Sequence, residues 1–173
     1  IGFVMKYFYE FHTNPDINSA IQFTLGLNSY SEYMNGLNSL HREKIINKCK
    51  FGKKMKFENA FYPYLLNNEP VKNTINMKKN IAITGPNASG KTTILKTTLL
   101  NIIFSQSFGF GFYSKGVISP YNKIHCYLNI PDTSGRDSLF QAEARRCKEI
   151  LESLEDNKKH FCIFDELFSG TNP

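Results

Sequence analysis

The stretch NIAITGPNASGKTT, residues 80–93, decides the fold. Asn80 to Thr84 is short and apolar, which predicts a buried strand. It runs into Gly85-Pro86-Asn87-Ala88-Ser89-Gly90-Lys91-Thr92-Thr93, and a helix is expected from Lys91 to about Phe104. Strand, Gly-x4-Gly-Lys-Thr loop and helix together form the phosphate-loop pattern. The spacing has a physical reason. Glycines let successive backbone N–H groups turn inward as a nest for an anion, and the helix start adds its positive end. Lys91 supplies a point charge for the β- and γ-phosphates of a nucleotide. The Thr92 hydroxyl suits Mg²⁺, which takes a few protein oxygens and completes its shell with phosphate and water.

A phosphate loop calls for an acidic strand end, and Phe161 to Phe164 (FCIF) runs directly into Asp165-Glu166. Asp165 is expected to hold Mg²⁺ through water, and Glu166 to orient the attacking water. A second acid after the first favours hydrolysis over transfer to a small acceptor. Between these motifs, Lys123 to Leu128 reads as a strand. Ser138-x-x-Gln141 is a capping-box signature, and Phe140, Ala144, Cys147, Leu151 and Leu154 give the stripe of an amphipathic helix. The alternation predicts an α/β fold with a parallel sheet.

Upstream, residues 1–12 are aromatic without a clear period and fit a strand or a helix end. Asn14-Pro15-Asp16 is a helix start. Leu27, Tyr30, Met34 and Leu37 follow at helical spacing, and Gly26 and Gly36 are expected to weaken or break that helix. Lys48 to Lys56 reads as a solvated basic turn in preference to a phosphate contact. Strand and loop material is expected from Phe57 to Met77, punctuated by Pro63 and Pro70.

The chain has 173 residues, 41% hydrophobic and 21% charged, with a net charge of +6. That usage excludes collagen-like, disordered and membrane-spanning classes. Basicity alone allows a polyanionic partner without requiring one. Cys49, Cys126, Cys147 and Cys162 form no CxxC, and His12, His41, His125 and His160 show no metal spacing. No signal peptide is evident. The expected location is therefore inside the cell, in the cytoplasm, nucleoid or nucleus, with no membrane partner. Both ends, Ile1 and Pro173, read as cut, so a fragment is expected.

GPN inside the loop is typical of ATP-binding-cassette-like ATPases. SGRDSLFQAE (residues 134–143) and FDELFSGTNP (residues 164–173) resemble the ATPase domain of the MutS DNA mismatch-repair family. The matching positions are Ser134, Gly135, Arg136, Ser138, Phe140 and Glu143, then Asp165, Glu166, Gly170 and Thr171. Val71-Lys72-Asn73 falls where the family places its adenine-contacting loop, and residues 16–48 are similar to the end of its lever. The loop residues 88–93, Asp137 and Ser169 depart from the family pattern, which marks a divergent MutS-like branch.

The resemblance implies an ABC-like P-loop NTPase with a mostly parallel sheet, divided as lever residues 1–50 and ATPase residues 51–173. It implies ATP and Mg²⁺ as ligands, with Val71 and residues 85–93 at the nucleotide, Thr92 and Asp165 at the metal, and Lys91 and Glu166 in catalysis. Ser138 would meet the γ-phosphate in trans, across a homodimer or a MutS-like heterodimer. DNA, mismatched or otherwise distorted, would be bound through domains outside these residues. The family's switch histidine would follow Pro173, so the chain by itself is expected to be a weak ATPase. Two other readings stand beside this one. One is a DNA-maintenance ATPase of the SMC or RecF kind, although no Gly-Gly-Gln signature is present. The other is a nucleotide-gated DNA clamp that hydrolyses little. Phe8-Tyr9-Glu10 imitates the family's mismatch wedge but reads as core aromatics.

Overall fold

Asn14 sets the first boundary in the chain. Its side chain accepts hydrogen bonds from the Asp16 and Ile17 N–H groups at 2.9 and 3.3 Å, and Pro15 occupies the first helical turn. Helix α1 (Gly2–Thr13) ends before it and α2 (Pro15–Arg42) begins after it. Residues 2–12 are thus helical. Gly26 and Gly36 do not break α2, because an interior glycine costs only about 1 kcal/mol against alanine. The computed structural model describes residues 2–128 and 139–168. It separates into two compact units, residues 1–46 and 47–173. Among the described residues no helix is long and apolar enough to cross a membrane.

The second unit holds β1 (Asn47–Phe51), β2 (Met55–Ala60), a 3-10 turn (Pro63–Asn68), β3 (Asn73–Met77), α3 (Lys91–Phe108), β4 (Phe110–Gly111), β5 (Lys115–Ile118), β6 (Lys123–Tyr127), α4 (Leu139–Glu152) and β7 (His160–Phe164). Five strands form a sheet in the order β3-β2-β5-β1-β4, and β6 pairs with β7. Here the expected mostly parallel sheet is corrected. Among the described residues β1–β5 and β6–β7 run parallel, while β1–β4, β2–β3 and β2–β5 are antiparallel, so the larger sheet is mixed. Two local expectations also change. Asn80 to Thr84 pairs with no strand among the described residues. Lys48 to Lys56 is mostly strand, with only residues 52–54 between β1 and β2.

The core explains how α3 is held. Met55, Phe57, Ile75 and Ile118 of the larger sheet meet Ile102 of α3, Tyr113, and Phe161 and Ile163 of β7. The Tyr113 ring stacks on Phe57 at 4.9 Å, and its hydroxyl lies 2.9 Å from Ser105 Oγ. The same ring covers Gly116, where an added Cβ would have no room. Asn101, 0% exposed, donates to the Thr97 and Phe61 carbonyls and accepts from the Phe112 N–H at 2.7 Å. Gly109, with φ +72°, closes α3 four residues beyond the expected end.

Helix α4 turns a different face inward from the one its apolar stripe suggests. Glu143 and Ile150 are its buried residues, whereas Leu151 is 68% exposed. The capping box around Ser138 lies outside the described residues.

Strands β6 and β7 bring His125 and His160 together, with Nε2 of the first 2.9 Å from Nδ1 of the second and the rings stacked. Burial lowers the His125 pKa, and the positive charges of His160, Lys123 and Arg146 add to this. Glu155, hydrogen-bonded by Lys123 and Lys158, is pulled down to about 2 and stays ionised well below the histidine range. As pH falls, the unfolded chain therefore protonates His125 before the folded chain does. The stability is present above about pH 6.5, the ordinary histidine value, and is lost as pH falls through the lower folded value. The expected result is a melting temperature that declines between about pH 7 and pH 5, with a shallower decline in His125→Gln. Equal slopes for the two proteins in a pH series of thermal melts would rule this out.

Candidate phosphate-binding site

The loop before α3 bends through two left-handed residues, Ala88 at φ +59° and Gly90 at φ +91°. Glycine removes the Cβ clash at Gly90, where any other residue would be strained. Such alternation is how a chain makes a concave run of N–H groups. Lys91 opens α3 and folds its ammonium back over the loop, donating to the Gly85 and Pro86 carbonyls at 2.8 and 2.9 Å. One turn of helix therefore places a positive charge at the mouth of the nest.

Strand β7 delivers the acids. The Asp165 N–H donates to the Tyr127 carbonyl at 2.9 Å, extending the β6–β7 ladder by one residue past Phe164. The Asp165 carboxylate accepts from the Thr92 hydroxyl at 2.7 Å. The two residues are 73 apart in sequence, and both are expected metal ligands. Glu166 follows in the left-handed region, φ +46°. That conformation is uncommon for a glutamate and tends to gather at functional sites. Glu166 lines a cleft of about 400 Å³ together with residues 87–93.

A second cleft, about 510 Å³, shares Ala88 to Lys91 and Thr93 with the first. Tyr62, Pro70, Val71 and Ile83 line it, facing Ala88 to Lys91 and Thr97. Val71 is 79% exposed, so it is not a core residue. Tyr62 was not foreseen. Its signal is an aromatic immediately before Pro63, at the start of the 3-10 turn that leads to Val71.

The structure thus brings together Val71, residues 85–93, Asp165 and Glu166 around one loop. Ser134, Gly135, Arg136, Ser138, Gly170 and Thr171 lie outside the described residues. Of the remaining family-like positions, Phe140 packs its ring against Phe168 at 5.8 Å, and Glu143 is buried. Among the described residues no group of three His, Cys, Asp or Glu could hold a metal ion. Thr92 and Asp165 offer two hard oxygens instead. That donor set fits Mg²⁺, which binds through one or two protein ligands and takes the rest from phosphate and water.

Comparison with known proteins adds the lineage. The family model described as MutS domain V matches residues 81–173. The chain is 35% identical over 127 residues to Endonuclease MutS2 of Staphylococcus saprophyticus, covering 66% of the chain and 15% of that protein. It is 31% identical over 141 residues to Endonuclease MutS2 of Thermus thermophilus, covering 78% of the chain and 18% of that protein. Endonuclease MutS2 of Staphylococcus epidermidis is 32% identical over 128 residues, covering 66% and 15%. The chain therefore spans less than a fifth of the length of the curated relatives it matches. The phosphate loop, α3, β7 and the acids at its end all fall within the matched residues, and the chain belongs to the MutS family.

Proposed function

We propose that this chain binds ATP at the loop 85–93 and hydrolyses it, as part of a dimeric MutS-type protein that acts on DNA. The observation that carries this reading is the 2.7 Å contact between Thr92 and Asp165. A helix start and a distant strand end place two metal-seeking oxygens together beside a phosphate nest. The two clefts along the loop support a division of labour, with Glu166 lining one and Val71 with Tyr62 lining the other.

The chain's own residues would act as follows. Loop N–H groups and the Lys91 ammonium meet phosphate oxygens. Lys91 has three donors, of which the two loop carbonyls engage two. Thr92 and Asp165 would hold Mg²⁺, which supplies charge neutralisation at the phosphates. Glu166 accepts a hydrogen bond from water and turns its lone pair toward the terminal phosphorus. Val71 and Tyr62 give the base an apolar and aromatic surface. Ser138 would reach the γ-phosphate of a second subunit's nucleotide. Mismatched or otherwise distorted DNA would be recognised through domains beyond these residues, and coupling to a clamp is the role assigned to the dimer.

Lys91→Ala should remove most Mg-ATP affinity in a calorimetric titration, and equal affinity for mutant and parent would sink the nucleotide reading. Glu166→Gln should bind ATP normally and slow single-turnover hydrolysis by about a hundredfold, the usual scale for a lost general base. Unchanged hydrolysis in that variant would remove Glu166 from the role of water-orienting base, whereas binding with no measurable hydrolysis in the parent would make a nucleotide-gated clamp the better description.

Val71→Asp tests the base-binding side. ATP binding should weaken while the melting temperature stays within about 2 °C, because exposed substitutions rarely shift stability much. A large drop in melting temperature without nucleotide would make Val71 a packing residue instead.

A further inference from the structure

Charge is unevenly spread along this chain. Between Lys44 and Pro131 there are thirteen lysines and only two acids, Glu58 and Glu69. The larger sheet collects part of this excess on one face. Lys48 and Lys50 are exposed on either side of Cys49, Lys56 is exposed between buried Met55 and Phe57, and Lys115 is exposed beside buried Gly116. Register aligns them. Lys50 pairs with Val117, Val117 with Lys56, and Lys56 with Asn76. In the next outward row, Lys115 pairs with Glu58. Four lysines thus share the face turned away from the core, about 6.8 Å apart along a strand and 4.8 Å per strand across it.

Glu58 is the acid of this surface. It accepts from Lys56 at 2.6 Å and lies 4.0 Å from Lys115. It offsets one lysine of the four. At one end of the sheet Met55 pairs with Met77, so exposed Lys53 and Lys54 gather with exposed Lys78 and Lys79. Exposed Thr74 and Asn76 add uncharged hydrogen-bonding groups on β3.

We propose that this outer sheet face is a docking surface for the phosphate backbone of duplex nucleic acid. Charge complementarity selects the partner class. Lys together with Thr and Asn is the chemistry that contacts phosphates without reading sequence. A lipid surface would call for apolar side chains standing out of the face to enter it. The outward rows carry Val117, which is half-buried, and the exposed Phe51 stands only at the end of β1. The inference goes beyond the nucleotide reading and does not depend on it, since none of these lysines belongs to the phosphate loop.

The test uses the chain without nucleotide and a fluorescent mixed-sequence duplex of about 30 base pairs, long enough to cover several phosphate contacts. Anisotropy titrations between about 50 and 200 mM salt give affinity and its salt slope. The variant Lys48→Gln/Lys50→Gln/Lys56→Gln/Lys115→Gln should lose affinity about tenfold or more, and its slope should fall by about three, at roughly 0.9 per phosphate contact. A charge-matched variant, Lys6→Gln/Lys44→Gln/Lys148→Gln/Lys158→Gln, should bind like the parent. Equal losses in both variants, or none in the first, would overturn the proposal. So would loss of sedimentation with phosphatidylserine vesicles in the first variant while duplex binding persists, because the surface would then serve lipid. Lysine acetylation of the unmutated chain gives a readout that needs no variant. The duplex should protect Lys48, Lys50, Lys56 and Lys115 but leave Lys6 and Lys148 reactive, and uniform reactivity would count against the site.

Discussion

The buried carboxamide of Asn101 fixes where everything else in the second unit can sit. Its amide reaches the Thr97 carbonyl within α3 and the Phe61 carbonyl after β2, and its oxygen takes the Phe112 N–H after β4, so one side chain ties the middle of α3 to the paired segments that follow those strands. Leaving such a buried group unpaired costs about 1–3 kcal/mol, and none of the buried side-chain polar atoms described is without a partner. One turn on, Ser105 meets Tyr113, whose ring lies between Phe57 and Gly116. The helix is therefore positioned by its polar groups as much as by Ile102. Lys91 and Thr92 are carried at its start, and they inherit that position.

The geometry of the candidate site then follows from two anchors instead of one loop. The helix sets Thr92, the β6–β7 ladder sets Asp165, and their contact closes the distance between them. Core residues Phe161 and Ile163 bury alternate positions of β7 against α3 and the larger sheet. Packing in the core and proximity at the site are consequently one constraint seen from two ends. A change that let α3 slide would part the two oxygens before it unfolded anything.

Much of this was legible in the sequence, for reasons that differ by element. The start of α3 after the loop 85–90 and the strand that ends at the acids after FCIF were readable because each follows from local backbone chemistry. The mixed order of the larger sheet was not. The βα signature around residues 80–104 speaks only for its own neighbourhood, and strand direction elsewhere depends on partners far away in sequence. Lys48 to Lys56 has the charge of a solvated turn but the period of a strand. The alternation Lys48-Cys49-Lys50 and Met55-Lys56-Phe57 already had the two-residue repeat of a one-sided strand. The stripe on α4 failed differently, because the buried positions, Glu143 and Ile150, lie beside the stripe and Leu151 within it is exposed. Asn80 to Thr84 has the composition of a strand but no strand partner among the described residues.

The strand order also constrains how the unit is built in time. β1 and β2 are consecutive in the chain, yet β5 lies between them in the sheet. Cys49 finds its neighbour only when Gly116 arrives, and Phe57 needs the same residue on its other side. During synthesis β2 can pair early with β3, while β1 waits with an open edge through the emergence of the whole of α3. Closing loops of that length before any contact rewards them slows folding. The lysines that alternate along β1 would keep that waiting edge from pairing with a stranger.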